Sequence, residues 1–247
     1  MEESETEELA FDLPKERCLL LLTQDPVEAS RIASEVHALL EWVGAPTGFT
    51  VHLWWRHDPR QIKATQWPDK RTVNGGWAIP GQPNVYVYRS EEYDRVLLHE
   101  TIHAMEWDWQ MPEKPLPCWG LGEDASVQPA LFEAWTELYA EWLWCGWHNQ
   151  PWDLQREWQD YQATQILARA PPRWTENTNI FAYYILKAAL APHIAFLWVF
   201  GNGITEAERQ SVLCQLVEPE LLRLRTEAVM VEPEALSMCM TKPYDKK

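Results

Sequence analysis

The sequence predicts an α+β fold: an N-terminal twisted mixed sheet with one backing helix and one helix carrying a histidine pair, followed by a mainly helical C-terminal lobe. Three observations predict it. Runs of β-branched and aromatic residues punctuated by turn residues occupy residues 18–89. His99 and His103 follow at a spacing of one helical turn. From Pro129 onward, apolar residues recur every three or four positions, with breaks at prolines and glycines. A chain of 247 residues can bury a substantial core without covalent staples.

Taken in order, residues 1–14 read as a disordered acidic tail, because they carry little apolar area to offset the entropy of ordering. The apolar run 18–23 suits a buried strand. Asp25 as N-cap and Pro26 at the first helical position then open a helix to about Val43, ended by Gly44. Its apolar residues Ile32, Val36, Leu39 and Leu40 recur at helical spacing, as in a helix laid on a sheet. Residues 49–55 read as a strand, and Asn74-Gly75-Gly76 as a tight turn between strands at 71–73 and 77–79. In the strand 84–89, Val85 and Val87 alternate with Tyr86 and Tyr88; the parity is set, and which face is buried is open. Ser90 as N-cap, with Glu91 and Glu92 in the first turn, opens the helix that runs through His99 to about Trp109.

Residues 110–128 hold three prolines and two glycines and read as a long irregular connection. A strongly periodic helix follows to about Trp147, and further helices break near Pro171-Pro172, Pro192 and Gly203. The expected organisation is a tail (1–14), an α/β lobe (15–109) and a helical lobe (110–247).

A net charge of -16 repels phosphate backbones and anionic lipid, so neither nucleic acid nor a membrane surface is an expected partner. The acidic N-terminus lacks a basic n-region and an apolar h-region, which predicts a cytoplasmic chain. Five cysteines, widely spaced and without a CxxC pair, fit reduced thiols. The run 180–200 is apolar, but Lys187, Pro192 and His193 interrupt it, which argues against a membrane span. Sixteen tryptophans are expected mostly in the core. Composition leaves the oligomeric state open.

His99-Glu100-Thr101-Ile102-His103 is an HExxH pattern. Imidazoles four residues apart on a helix lie one turn above each other and can reach one metal ion, with the glutamate beside them. Zinc in such a site lowers the pKa of a water, and Glu100 is placed to take that water's proton as it attacks a polarised carbonyl. At 100° per residue, Leu98, Ile102, Met105 and Trp109 fall opposite the histidines and Glu100, giving a packing face and a polar face.

A catalytic zinc needs a third protein donor and an open position. The extended HExxHxxGxxH pattern is absent, since Glu106 and Trp109 stand at its glycine and third histidine. A downstream carboxylate is then the best donor, and Glu133 and Glu137 share one face of the helix 129–147, opposite Leu131, Trp135, Leu138 and Trp142.

HETIH followed by Glu133-Ala-Trp-Thr-Glu137 resembles the glutamate-zincins, the gluzincins, of thermolysin type. The resemblance implies a zincin-like fold, with Glu133 as the third zinc ligand and Glu137 as the acid supporting a ligand from behind; the reverse assignment of the two glutamates is also open. It further implies that 84–89 is an edge strand above the cleft, to which an extended peptide could pair. Tyr183 and Tyr184, with His193 and Arg173, are the downstream groups available to stabilise an oxyanion. Cys118, in the connection, is a possible additional zinc ligand. The expectation is a zinc-dependent metallopeptidase acting on a peptide or protein; the alternative is an inactive zincin-like module that binds zinc or a partner protein.

Overall fold

The computed structural model describes residues 7–23, 27–57, 59–108, 116–121, 131–170, 178–199 and 206–242. In chain order the elements are β1 (Glu7–Leu13), β2 (Arg17–Thr23), α1 (Ala29–Val43), β3 (Thr50–Trp54), β4 (Gln61–Ile62), α2 (Lys70–Val73), β5 (Gly76–Ala78), β6 (Asn84–Val87) and α3 (Tyr93–Ala104). A 3-10 turn (Pro117–Trp119), α4 (Leu131–Trp147) and α5 (Trp152–Arg169) follow. Then come a π-helical stretch (Phe181–Leu186), α6 (Lys187–Leu190), a second 3-10 turn (Ala191–His193), α7 (Ile194–Val199), α8 (Glu206–Ala228) and β7 (Leu236–Ser237). The chain is α+β with a mixed sheet.

Two compact units are each assembled from separate stretches: Met1–Pro59, Gly75–Trp107 and Gly146–Asn149 in the first, Arg60–Asn74, Asp108–Cys145 and Gln150–Lys247 in the second. The expected single boundary after residue 109 is therefore too simple. Long-range pairing takes 60–74 into the second unit, where β4 pairs with β7 and the Arg60 guanidinium is held by the Val73 carbonyl. Conversely, Trp147 packs on Trp42 (centroids 5.6 Å apart) and His148 meets Asp94 at 2.6 Å, which ties 146–149 to the first unit.

In the first unit the strand order is β1-β2-β3-β6-β5, with β2, β3 and β6 parallel and β1 and β5 antiparallel at the edges. Leu19, Leu21, Val51, Leu53, Val85 and Val87 alternate onto one buried face, against which α1 and α3 pack. The valines of β6 thus face the helices. Tyr86 takes the other face, stacked between His52 at 4.3 Å and Trp77 at 4.0 Å between ring centroids.

Several local expectations change. Residues 7–13 form β1 instead of a tail, because Leu9 and Phe11 alternate in register with Leu21 and Leu19 of β2; Met1–Thr6 lie outside the described residues. Residues 71–73 are helical, not a strand: the Asp69 carboxylate accepts from the backbone N–H groups of Arg71 and Thr72 at 2.9 and 3.1 Å, and Thr72 Oγ1 accepts from Asp69 N–H at 3.0 Å. The strand 84–89 is not an edge: β6 has β3 on one side and β5 on the other, and β5 is the edge on that side of the sheet. Ser90 does not cap α3; its hydroxyl donates to the Arg56 carbonyl at 3.0 Å, and Glu92, at φ 56°, precedes the helix. The α3 helix stops at Ala104, before the expected Trp109, with Glu106 in the left-handed region at φ 53°. Asp25 and Pro26 lie outside the described residues, as does most of the 110–128 connection.

In the second unit α5, α6, α8 and the π-helical stretch surround a core that includes Trp119, Leu138, Phe181, Leu190, Leu221 and Met238. Cys118 and Cys214 form a disulfide between the first 3-10 turn and α8, which replaces both the expected reduced pair and the suggested Cys118 zinc ligand. Cys18, Cys145 and Cys239 are free. Among the described residues no helix is long and apolar enough to cross a membrane. Lys187, the charge that interrupts the apolar run, is fully buried and paired with Glu141.

Candidate metal centre

The histidine pair belongs to the first unit. The α3 helix is buried along nearly its whole length, with Val96, Leu97, Leu98 and Ile102 supplying the apolar surface. This packing fixes the helix rotation, so that His99, Glu100 and His103 come from the remaining arc. All three are nonetheless largely shielded, at 5%, 6% and 8% exposure. An ordinary surface helix would leave such side chains in water.

His99 Nε2 and His103 Nε2 stand 3.0 Å apart, with the rings inclined at 76° and their centroids 4.7 Å apart. Two nitrogens bound to one tetrahedral zinc at its usual bond lengths are separated by about 3.3 Å. The pair is therefore close to the spacing that a shared ion imposes, and the residues fit the metal that the motif implies. Both rings present the same nitrogen to the same point, as two ligands one turn apart should.

Glu100 is positioned by β5. A Cβ placed on Gly76 would come within 2.6 Å of the Tyr86 carbonyl oxygen, 2.8 Å of Val96 Cγ1 and 2.9 Å of Glu100 Cγ. Only glycine lets this edge strand lie so close to the α3 helix. Gly75 and Gly76, which the sequence predicts as turn residues, serve close approach instead, with Val96 and Glu100 in the space a side chain would take.

Glu133, Glu137, Tyr183 and Tyr184 belong to the second unit. Along α4, Glu133, Glu137 and Glu141 repeat every four residues and so share one stripe. Glu133 is half-buried and accepts a hydrogen bond from the Tyr183 hydroxyl at 3.1 Å. Glu137 is buried at 2% exposure. Tyr183 and Tyr184 sit in the π-helical stretch; Tyr183 donates to the Glu133 carboxylate, whereas Tyr184 is fully buried and donates to the Met238 carbonyl at 2.9 Å, which helps to hold the C-terminal segment. His193 lies in the second 3-10 turn, and Arg173 lies outside the described residues.

Sequence reasoning missed a buried polar network beside this stripe. The Glu141 carboxylate accepts from Lys187, Gln159 and, at 2.9 Å, Gln155. Burial pushes the Glu141 carboxyl up to about 7, against the opposing pull of the Lys187 ammonium. Gln155 also donates to the Met240 carbonyl at 2.7 Å and Gln162 to the Cys239 carbonyl at 2.6 Å, so α5 grips the C-terminal segment with its glutamines. The signal was present as Gln155, Gln159 and Gln162 at helical spacing, a stripe that polarity alone reads as solvated.

No family model, curated protein or solved structure matches this chain.

Proposed function

We propose that this chain is a zincin-like, zinc-dependent metallopeptidase of gluzincin type, with His99, His103 and Glu133 as the metal ligands and Glu100 as the general base. The observation that carries the reading is the approach of His99 Nε2 and His103 Nε2 to 3.0 Å on a buried helix that also holds Glu100. Glu133 is taken as the third donor because HETIH followed by Glu133-Ala-Trp-Thr-Glu137 resembles the gluzincin pattern, and because its carboxylate is half-buried on α4. Glu137 is then assigned the supporting role behind a ligand.

Zinc held by such a donor set supplies Lewis acidity, which makes a water acidic near neutral pH and polarises a carbonyl. Glu100, on the same helix turn as the histidines, would be the base that accepts a proton from the attacking water and returns it to the departing amine. Shielding from solvent keeps the carboxylate close to its partners and away from bulk water. The Tyr183 hydroxyl, which donates to Glu133 at 3.1 Å, is the phenol assigned to hydrogen-bond the oxygen that gains charge. The free edge of β5, adjacent to Glu100, is the strand to which an extended peptide would pair.

The test is zinc per chain by elemental analysis for the wild type, Glu133→Ala and Glu137→Ala, run beside turnover of a mixed peptide library. About one zinc in the wild type, lost in Glu133→Ala and largely kept in Glu137→Ala, supports the ligand set. Zinc without Glu100-dependent turnover favours an inactive zinc-binding module, and a metal-free wild type after zinc-replete preparation sinks the reading.

A further inference from the structure

The second unit contains a cavity of about 460 Å³, far from any role in the metal chemistry above, lined in part by Leu121, Leu167, Phe181, Ala228 and Val231. That volume lies in the range of small-molecule sites. One charged side chain, Arg225 of α8, reaches its wall. Nη2 of Arg225 donates to the carbonyls of Trp119 and, at 3.4 Å, Gly120. A guanidinium offers five N–H donors, and among the described residues Nε and Nη1 meet no acceptor.

The contrast with Arg223, two residues earlier on the same helix, is informative. Arg223 pairs with Asp160, Glu220 and Glu227 at 3.0, 2.9 and 3.1 Å. Arg225 has no carboxylate partner among the described residues, in a chain with 37 acidic residues. Burial lowers its pKa. The arrangement around it is constructed: Gly120 has φ +59°, and a Cβ there would stand 2.6 Å from Arg225 Nη1. The Cys118–Cys214 disulfide fastens the turn that precedes Gly120 to the helix that bears Arg225. A half-buried cation without a counter-ion among the described residues, on a wall stapled in place beside a cavity that has apolar side chains in its lining, is complementary to an anion with an apolar body.

We infer that this cavity binds an apolar carboxylate, whose oxygens accept from the unclaimed N–H groups of Arg225 while its apolar body rests against Leu121, Leu167 and Phe181. Exposed Val229 and Met230, at 82% and 85%, extend the apolar surface just beyond the end of α8. Two sources share this chemistry: a free aliphatic acid, and the C-terminus of a peptide that ends in apolar residues.

The experiment is calorimetric titration of the full chain with octanoate, octanol, N-acetyl-leucyl-leucine and the amide of that dipeptide. Saturable binding of at least one acid is expected, at least about tenfold tighter than that of its neutral counterpart, as fits a hydrogen bond to a charged group. Preference between the two acids identifies the source. Arg225→Gln is expected to lose this acid preference while keeping the wild-type circular dichroism. Where that variant does not fold, Val231→Asp, which puts a like charge on the wall, is expected to abolish acid binding. Absence of saturable binding by either acid, equal binding of acid and neutral forms, or unchanged acid binding by Arg225→Gln overturns the inference.

Discussion

His99 Nε2 and His103 Nε2 face each other at 3.0 Å across one turn of α3. Without a metal, one neutral imidazole can donate to the other at this distance; a shared zinc would replace that hydrogen bond with two ligand bonds. His103→Ala is therefore expected to remove bound zinc, and added zinc is expected to raise the melting temperature of the wild type but not of the variant. Elemental analysis and a thermal shift series check both. An equal zinc-induced shift in the two proteins would place the metal elsewhere.

Glu100 has a separable role. Glu100→Gln preserves size and leaves both histidines in place, so zinc content is expected to stay near the wild-type level. Peptide turnover is expected to fall by on the order of 10²–10⁴, the usual contribution of a general base. Single-turnover kinetics on a zinc-loaded sample measure this, and wild-type turnover in the variant would remove Glu100 from the chemistry.

Gly76 couples the edge strand to that base. In Gly76→Ala the new methyl group would meet the Tyr86 carbonyl oxygen at 2.6 Å and Glu100 Cγ at 2.9 Å. The backbone of β6 cannot yield as a flexible side chain can. Destabilisation of roughly 1–3 kcal/mol is expected from overpacking, together with reduced turnover as Glu100 is displaced. Urea unfolding gives the first quantity, and turnover per bound zinc the second.

The disulfide Cys118–Cys214 closes a separation of 96 residues. Thiol titration of the unreduced, denatured chain is expected to find three free cysteines, Cys18, Cys145 and Cys239. Loss of the link in Cys118→Ser is expected to lower stability by about 4–5 kcal/mol on the loop-entropy account. Five titrating thiols would show that the pair is reduced in the isolated protein.

Glu141 and Lys187 form a fully buried ion pair. Lys187→Met leaves the carboxylate without its cation and is expected to cost roughly 3–5 kcal/mol. The pH dependence has a definite sign. Burial raises the Glu141 carboxyl from its ordinary 4.5 to about 7, so its contribution to stability is full below 4.5 and lost as pH rises through 7. The stability of the wild type relative to Glu141→Gln is expected to decline across that window, as read from urea midpoints. A difference that does not vary with pH would mean that the carboxylate stays ionised throughout.

Much of this molecule was legible in its sequence because the signals are local. Helical spacing of apolar residues gave α1, and Gly44 marked its end in the left-handed conformation. An apolar run gave β2, β-branched and aromatic residues gave β3, alternation gave β6, and the HExxH spacing alone places two imidazoles and a carboxylate on one turn of helix. Errors arose where a local pattern had two uses. Gly75-Gly76 serves equally as a turn signal or as room for close approach, and Arg71–Val73 has β-forming residues that the Asp69 capping box overrides. Acidic residues 7–13 resemble a solvated tail until the alternation of Leu9, Phe11 and Leu13 finds β2.

By itself the sequence determined the α+β class, the helical histidine pair with Glu100 between its members, and a carboxylate stripe on a later helix. Tertiary structure decided that β5, not β6, is the sheet edge, that Cys118 meets Cys214, that Tyr183 reaches Glu133 while Tyr184 holds Met238, and that Lys187 neutralises Glu141 in the core. The physical reason is range. Backbone periodicity and capping act over a few residues and are written in the residue order, whereas partners 46 to 96 positions apart are selected only when burial removes water as the alternative partner.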